Sequence, residues 1–239
     1  MAGLLGVGAG ASPAAARDEN LFIRPEDQRT VLFGSLDAGR SVFMSGGAKQ
    51  SLVGSLDRSG FMALEVTGFG LTQERLRTDG GDLPVLRFTH QTAVTPGYQW
   101  NLGALHLGAY AGPELHQEQV TYGGRALRFS KPRLGIRGQV DLWAHPSADT
   151  LVTGTLISGS TRASLWGRAS AGLRVTDGLF AGPEVTFYVT PTYSEVRWGA
   201  HVTGLRLWIL TFRASAGWMQ DDAHRRGSPY LGLSVWMRL

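Results

Sequence analysis

The sequence predicts an all-β protein: one antiparallel transmembrane β-barrel of about twelve strands, with ten as the alternative and both termini periplasmic. Four observations carry this. From Thr30 to Leu239 the apolar residues recur with period 2 rather than 3.6. The polar face of that alternation carries full charges repeatedly, at Glu65, Glu114, Arg137, Asp141, Arg168, Glu184 and Arg197. The alternating segments are about 10 residues long, enough to cross a bilayer when tilted. Their connections alternate between short turns and long polar loops, as in outer-membrane barrels. A soluble sandwich also alternates, so the charges and the loop lengths decide.

Strands are expected over 29–37, 41–49, 60–71, 84–96, 102–115, 132–144, 150–158, 162–175, 178–190, 194–204, 205–219 and 229–239. The first, second and fourth alternate poorly, which keeps ten strands open. "QERLRTDGGD" reads as a long loop after the third strand and "HQEQVTYGGRALRFSK" as another after the fifth. The sixth is the clearest: Leu134, Ile136, Val140, Leu142 and Ala144 share one face, and Arg133, Arg137, Gln139 and Asp141 the other. "HPSAD" turns it into the seventh. In the eighth, Ala163, Leu165, Ala169, Ala171, Leu173 and Val175 oppose Ser164, Trp166, Arg168, Ser170 and Arg174. "TDG" and "TGL" read as the next short connections on that side, and "QDDAHRRGSP" as a long loop before the last strand. That strand sets Leu231, Leu233, Val235, Met237 and Leu239 on one face and runs to the final residue.

Composition narrows the class. The chain has 239 residues, 33 glycines, 18% charged residues and no cysteine. No run of about 18 apolar residues exists, which excludes a transmembrane helix. Without cysteine there is neither a disulfide framework nor a thiolate metal site. The formal charge of +4 is nearly all arginine, since Lys49 and Lys131 are the only lysines. These arginines are scattered singly, whereas a nucleic-acid surface clusters them among aromatics. Residues 1–16 are expected to be a signal peptide cut after Ala16, on the A-x-A pattern Ala14-Ala15-Ala16. A basic n-region is missing, which a start site set too far downstream would explain. Gly6, Gly8 and Gly10 resemble half a dinucleotide fingerprint, but lack the strand and helix it needs. Residues 17–29 read as a periplasmic lead-in and 30–239 as one barrel domain, in the outer membrane of a Gram-negative bacterium.

"AYAGPELHQ" (109–117) and "LFAGPEVTF" (179–187) both write Ala-Gly-Pro-Glu inside a strand. Proline donates no ladder hydrogen bond, so each is expected to sit at a bulge or local break. Parity sends Pro113 and Pro183 to the lipid and Glu114 and Glu184 to the lumen. The expected lumen charge network is Glu65, Glu114, Arg137, Asp141, Arg168, Arg174, Glu184 and Arg197. The glutamates' expected partners are Arg137, Arg168, Arg174 and Arg197. Such pairs either stiffen the interior or form a charged constriction. Trp143, Trp166, Tyr188 and Trp236 share the lumen parity, where they fill space or stack on sugar rings. Tyr98, Trp100, Trp198, Trp208 and Trp218 suit interfacial girdles.

Catalytic motifs are missing: there is no G-x-S-x-G, H-E-x-x-H or Walker-type sequence. The nearest match to the His-x-Ser of lipid-hydrolysing barrels is "FTHQTA", with His90 and Thr92. Threonine is the poorer nucleophile there and no obvious third member follows. The six histidines are too dispersed for a metal site. No catalytic residue, metal or cofactor is expected.

The segment "LFGSLDAGRSVFMSGGAKQSLVGSLDRSGFMALEVTGFG", 32–70, resembles the bacterial cellulose biosynthesis protein BcsS family. The matching features are the opening strand ending in "GSLDA", the Gly-rich "SGGAK" and the turn "GSLDRSGF"; "YAGPE" and "FAGPE" agree with it. The resemblance implies a non-enzymatic outer-membrane protein that helps make, export or anchor cellulose. Its partners would be outer-membrane lipid and other cellulose-synthesis components or glucan. It brings no catalytic residues. The competing classes are a small-solute channel unrelated to cellulose and an outer-membrane lipid hydrolase.

Overall fold

The computed structural model describes residues 28–78, 81–122, 125–222 and 226–239. The expected signal peptide and most of the lead-in lie outside them. The strands are β1 (Thr30–Ala38), β2 (Ser41–Ser51), β3 (Gly60–Thr78), β4 (Gly81–Asn101), β5 (Leu105–Tyr122), β6 (Arg125–Phe129), β7 (Arg133–Ser147), β8 (Thr150–Gly159), β9 (Ser164–Thr176), β10 (Leu179–Thr190), β11 (Tyr193–Leu207), β12 (Leu210–Asp221) and β13 (Ser228–Arg238). All pairings are antiparallel. β1 closes on β13 from Val31↔Arg238 to Ala38↔Leu231, and β4 closes on β5. Twelve strands therefore form a closed ring, and β6 pairs with β5 alone as an appendage.

Closure is what period-2 patterning in an apolar solvent demands. Every backbone N–H and C=O at membrane depth must find a partner inside the protein, and a sheet without edges supplies them. The register then sends one parity outward: Leu134, Ile136, Leu173 and Leu231 are among the most exposed residues, while Glu114, Arg137, Glu184 and Arg213 are buried. Both ends of the ring's chain meet at one rim, where Arg29 and Thr30 donate to the Leu239 carbonyl.

Three expectations change. β3, β4 and β5 continue through the two segments read as loops, because "QERLRT" and "HQEQVTY" pair in register. They rise past the ends of β2 at Ser41 and β7 at Arg133. "TGL" is not a turn: Gly204, at φ 99°, absorbs a register shift between Thr203 and Leu205. The chain turns instead between β11 and β12, at Trp208 and Ile209, with Trp208 at φ 61°. A glycine bulge and a glycine turn look alike in sequence.

The repeated proline produces a break without a bulge. Between β4 and β5, pairing stops at Ala93↔Glu114 and resumes at Gly97↔Tyr110, with the register unchanged. Between β10 and β9 it stops at Ala181↔Leu173 and resumes at Glu184↔Ser170. Pro113 and Pro183 are exposed on the outer face. In the second break His201 Nε2 lies 3.4 Å from the Ala171 carbonyl oxygen, the acceptor that Pro183 cannot serve. Both glycines of the motif are sterically required. A Cβ on Gly112 would lie 2.2 Å from the Val94 oxygen, and one on Gly182 2.0 Å from the Ala171 oxygen. Gly138, by contrast, has open space around it.

Forcing a methyl against those carbonyls shifts backbone, an overpacking cost of about 1–3 kcal/mol. Gly112→Ala and Gly182→Ala are therefore expected to lower the urea midpoint of the detergent-folded barrel. Gly138→Ala is expected to leave it unchanged.

Candidate functional site in the barrel lumen

The lumen is the concentrated chemistry of this chain, and the strand parity builds it. Glu184 on β10 and Arg213 on β12 form a buried ion pair, both 5% exposed. Arg213 Nη1 also donates to Thr153 Oγ1 on β8 at 3.1 Å, and the Thr153 and Ser170 hydroxyls lie 2.7 Å apart. One guanidinium thus ties three strands that span five places in the ring, from β8 to β12. Glu114 on β5 faces Arg137 on β7 at 3.9 Å and accepts a hydrogen bond from Thr161 in the β8–β9 turn. Toward the rim opposite the termini, Arg197 reaches Asp37 at 3.5 Å and pairs with Glu195, which accepts from the Tyr193 hydroxyl at 2.7 Å. Lys49 donates to Gln99 and stands 5.5 Å from the centre of the Tyr110 ring. Asp141 accepts from Gln139 at 3.0 Å. Arg168 lies over the Trp166 ring at 5.6 Å.

Two expected members stand elsewhere. Glu65 is exposed on the outward parity of β3, between Ala48 on β2 and Val94 on β4. The inward positions beside it belong to Leu64 and Val66, which pack in the interior cluster. "GFMALEVTGF" alternates with apolar residues on both parities, so its pattern does not reveal which side is the interior. Arg174 is inward by parity but sits at the termini-side rim, 3.4 Å from Asp149 and 3.8 Å from Asp177 in the neighbouring turns. Arg213, the partner of Glu184, escaped the sequence reading. Its signal was available: in "TFRASAGW" it shares parity with Ser215 and Gly217, against Ala214, Ala216 and Trp218.

The aromatic residues divide between the two mouths. Trp143 on β7 and Trp236 on β13 meet edge-to-face at 6.2 Å. Their strands stand six places apart in the ring of twelve, so this contact crosses the full width of the lumen. His145 extends it, accepting from the Trp143 indole at 3.3 Å and packing on Phe180 of β10 at 5.4 Å. On the same side the β2–β3 connection folds under the barrel. Its Leu56 is 5% exposed and packs with Met62, Leu64 and Tyr110. Its Leu56 carbonyl accepts from Gln99 at 2.7 Å, and Asp57 binds Arg238 at 3.0 Å. At the opposite mouth Trp166 and Tyr188 are a registered cross-strand pair, with Tyr193 6.2 Å from Tyr188.

Beyond the start of β7, Glu118 on the rising part of β5 gathers Arg87 at 2.8 Å, Arg162 at 3.3 Å and His116 at 3.2 Å. Burial works against its charge, but the His116 hydrogen bond and the two arginines outweigh it and hold the carboxyl below the usual glutamate range. On the outer face, Phe61, Tyr98 and Trp100 form an exposed aromatic group at the termini side, and Trp198 and Trp218 pair across β11 and β12. His90 and Thr92 also face outward, with Nε2 and Oγ1 3.3 Å apart.

The family model described as cellulose biosynthesis protein BcsS matches residues 31–239. No curated protein matches the chain in sequence. Solved structures share the fold at very low identity. The COG4313 outer membrane channel from Pseudomonas putida F1 has 12% identity and a TM-score of 0.52, over 90% of this chain and 98% of that one. The TodX deltaS2S3 mutant monoaromatic hydrocarbon channel has 7% identity and a TM-score of 0.57, over 90% and 92%. The β domain of the Bordetella autotransporter BrkA has 12% identity and a TM-score of 0.50, over 89% and 99%. The fold is that of outer-membrane barrels.

Removing one member of a buried ion pair strands the other, at about 3–5 kcal/mol. Glu184→Gln and Arg213→Met are each expected to lower the thermal midpoint of the folded barrel in detergent. The double variant should lose less than the sum, because the stranded charge is gone.

Proposed function

Since the chain belongs to the cellulose biosynthesis protein BcsS family, we propose that it is a non-enzymatic outer-membrane component of cellulose production, with termini that face the periplasm and a lumen closed to the glucan. The observation that carries the closed lumen is the Trp143–Trp236 contact between opposite walls. The Leu56 plug, the Arg213 tie and the Asp37–Arg197 bridge support it at other levels. A polysaccharide cannot pass where side chains from facing walls touch. The protein then acts at its mouths and its outer surface, in contact with lipid and with glucan or other cellulose-synthesis components. Trp166 and Tyr188, side by side at the mouth opposite the termini, are the residues for stacking on sugar rings. Trp143 and Trp236 instead use their rings on each other.

Deleting the gene is expected to lower cellulose output, and the purified protein is expected to show no steady conductance in a planar bilayer. Trp143→Ala combined with Trp236→Ala should raise conductance. A small-solute channel would give the reverse: steady conductance from the unaltered protein and unchanged cellulose. The hydrolase reading draws on the His90–Thr92 contact. His90→Ala is expected to leave lipid deacylation at background, as in the unaltered protein.

A further inference from the structure

At the mouth opposite the termini, four inward side chains form one row. Ile157 on β8, Trp166 on β9, Tyr188 on β10 and Glu195 on β11 are successive register partners. Each stands two residues inside the end of its strand at that mouth. Trp166 and Tyr188 are partly exposed there. Glu195 accepts from the Tyr193 hydroxyl and so holds a third ring 6.2 Å from Tyr188. The next inward row on the same strands is Thr155, Arg168, Thr186 and Arg197. The row after it contains Thr153, Ser170 and Glu184, where Arg213 crosses from β12 to bind Glu184 and Thr153. The aromatic row thus lines a blind cup, open at the mouth and shut beneath by a buried ion pair. Two polar groups in it are free for a ligand. Among the described residues the Tyr188 hydroxyl makes no hydrogen bond, although charges of Arg162, Glu118 and Glu195 surround it. Arg168 lies over the Trp166 ring and makes no ion pair among the described residues.

A β-linked glucosyl ring carries its hydroxyls around its edge and only C–H groups on its two faces. Aromatic rings pack against such faces, and a few placed polar groups fix the edge. We infer that this cup holds the terminal unit of a β-1,4-glucan chain, which enters end-on. Trp166 and Tyr188 are its stacking surfaces. The Arg168 guanidinium donates to a ring hydroxyl, and the Tyr188 hydroxyl donates to or accepts from another. The geometry selects an end over an internal segment. A β-1,4-glucan is stiff, the lumen of a twelve-stranded barrel is narrow, and the floor is closed. A stiff chain cannot dip into such a cup and leave again. Beyond its terminal unit a β-1,4 chain runs straight out of the cup, whereas an α-1,4 chain coils toward the wall. The inference rests on the proposed cellulose role for the identity of the sugar.

The test is calorimetric titration of the purified, detergent-folded barrel with cellotetraose, cellohexaose and maltohexaose, with folding checked by heat-modifiable gel mobility. Cellotetraose is expected to bind one molecule per barrel. Cellohexaose should bind with the same affinity, because its added units lie outside the cup, and maltohexaose should bind more weakly. Trp166→Ala is expected to weaken cellotetraose binding by about thirtyfold, as truncation of an aromatic anchor does. Tyr188→Phe keeps the ring and the fold and is expected to cost about fivefold, the loss of one hydrogen bond. Trp208→Ala, in the termini-side turn at a residue 95% exposed, should change nothing. No cello-oligosaccharide binding, binding indifferent to both Trp166→Ala and Tyr188→Phe, an equal loss at Trp208→Ala, affinity that rises from cellotetraose to cellohexaose, or equally tight maltohexaose would each overturn the inference. Gene deletion separates the two readings. Lower cellulose without oligosaccharide binding overturns the cup and keeps the cellulose role, while binding with unchanged cellulose supports the cup and overturns that role.

Discussion

Every backbone polar group in the hydrocarbon layer must be satisfied within the protein, and each feature of this barrel can be traced to that demand. It forces β1 onto β13 and leaves no free edge in the ring. It also explains how proline is tolerated. At Gly182-Pro183 the ladder opens for one step without changing register, and the orphaned Ala171 carbonyl faces an imidazole from the next strand. The glycine before each proline admits the facing carbonyl, which any side chain would strike. The four-residue motif is thus a device for interrupting a closed ladder at small cost.

The same closure creates an interior with little access to water, and that interior is filled with charge. Its ion pairs bind walls that are distant in sequence: Arg213 ties β12 to β10 and β8, and Arg197 links β11 to β1. Buried pairs of this kind add little net stability over apolar packing, while losing one partner is expensive. At the termini side the work passes to aromatic and apolar groups, with Trp143, Trp236 and Leu56 occupying the space. The wall has the fold of outer-membrane barrels, and inside it the Trp143 and Trp236 side chains of opposite strands meet.

Much of this was legible in the sequence. The inward direction of Glu114 and Glu184 followed from parity alone, because a strand offers only two faces; the twelve antiparallel strands followed from the count of alternating segments and the lengths of their connections. The Glu114–Arg137 contact was also within reach, since both residues lie on strongly alternating segments. Arg213 was equally visible by parity, yet nothing in its own segment indicated that it would meet a glutamate two strands away.

What the sequence by itself determined is the closed antiparallel ring and the faces of those strands whose two parities differ in polarity. What only the tertiary structure decided is what touches what across the lumen, and which way an ambiguous strand faces. Trp143 and Trp236 are 93 positions apart in the chain, and no local pattern encodes that β7 and β13 stand on opposite walls. Glu65 shows the second limit. In "GFMALEVTGF" one parity is apolar throughout and the other mixes Phe61, Ala63 and Phe69 with Glu65 and Thr67, so its direction was set by pairing with β2 and β4. A one-residue change of register reverses every side chain of a strand. Only the hydrogen-bonded neighbours, which exist once the ring has closed, fix that choice.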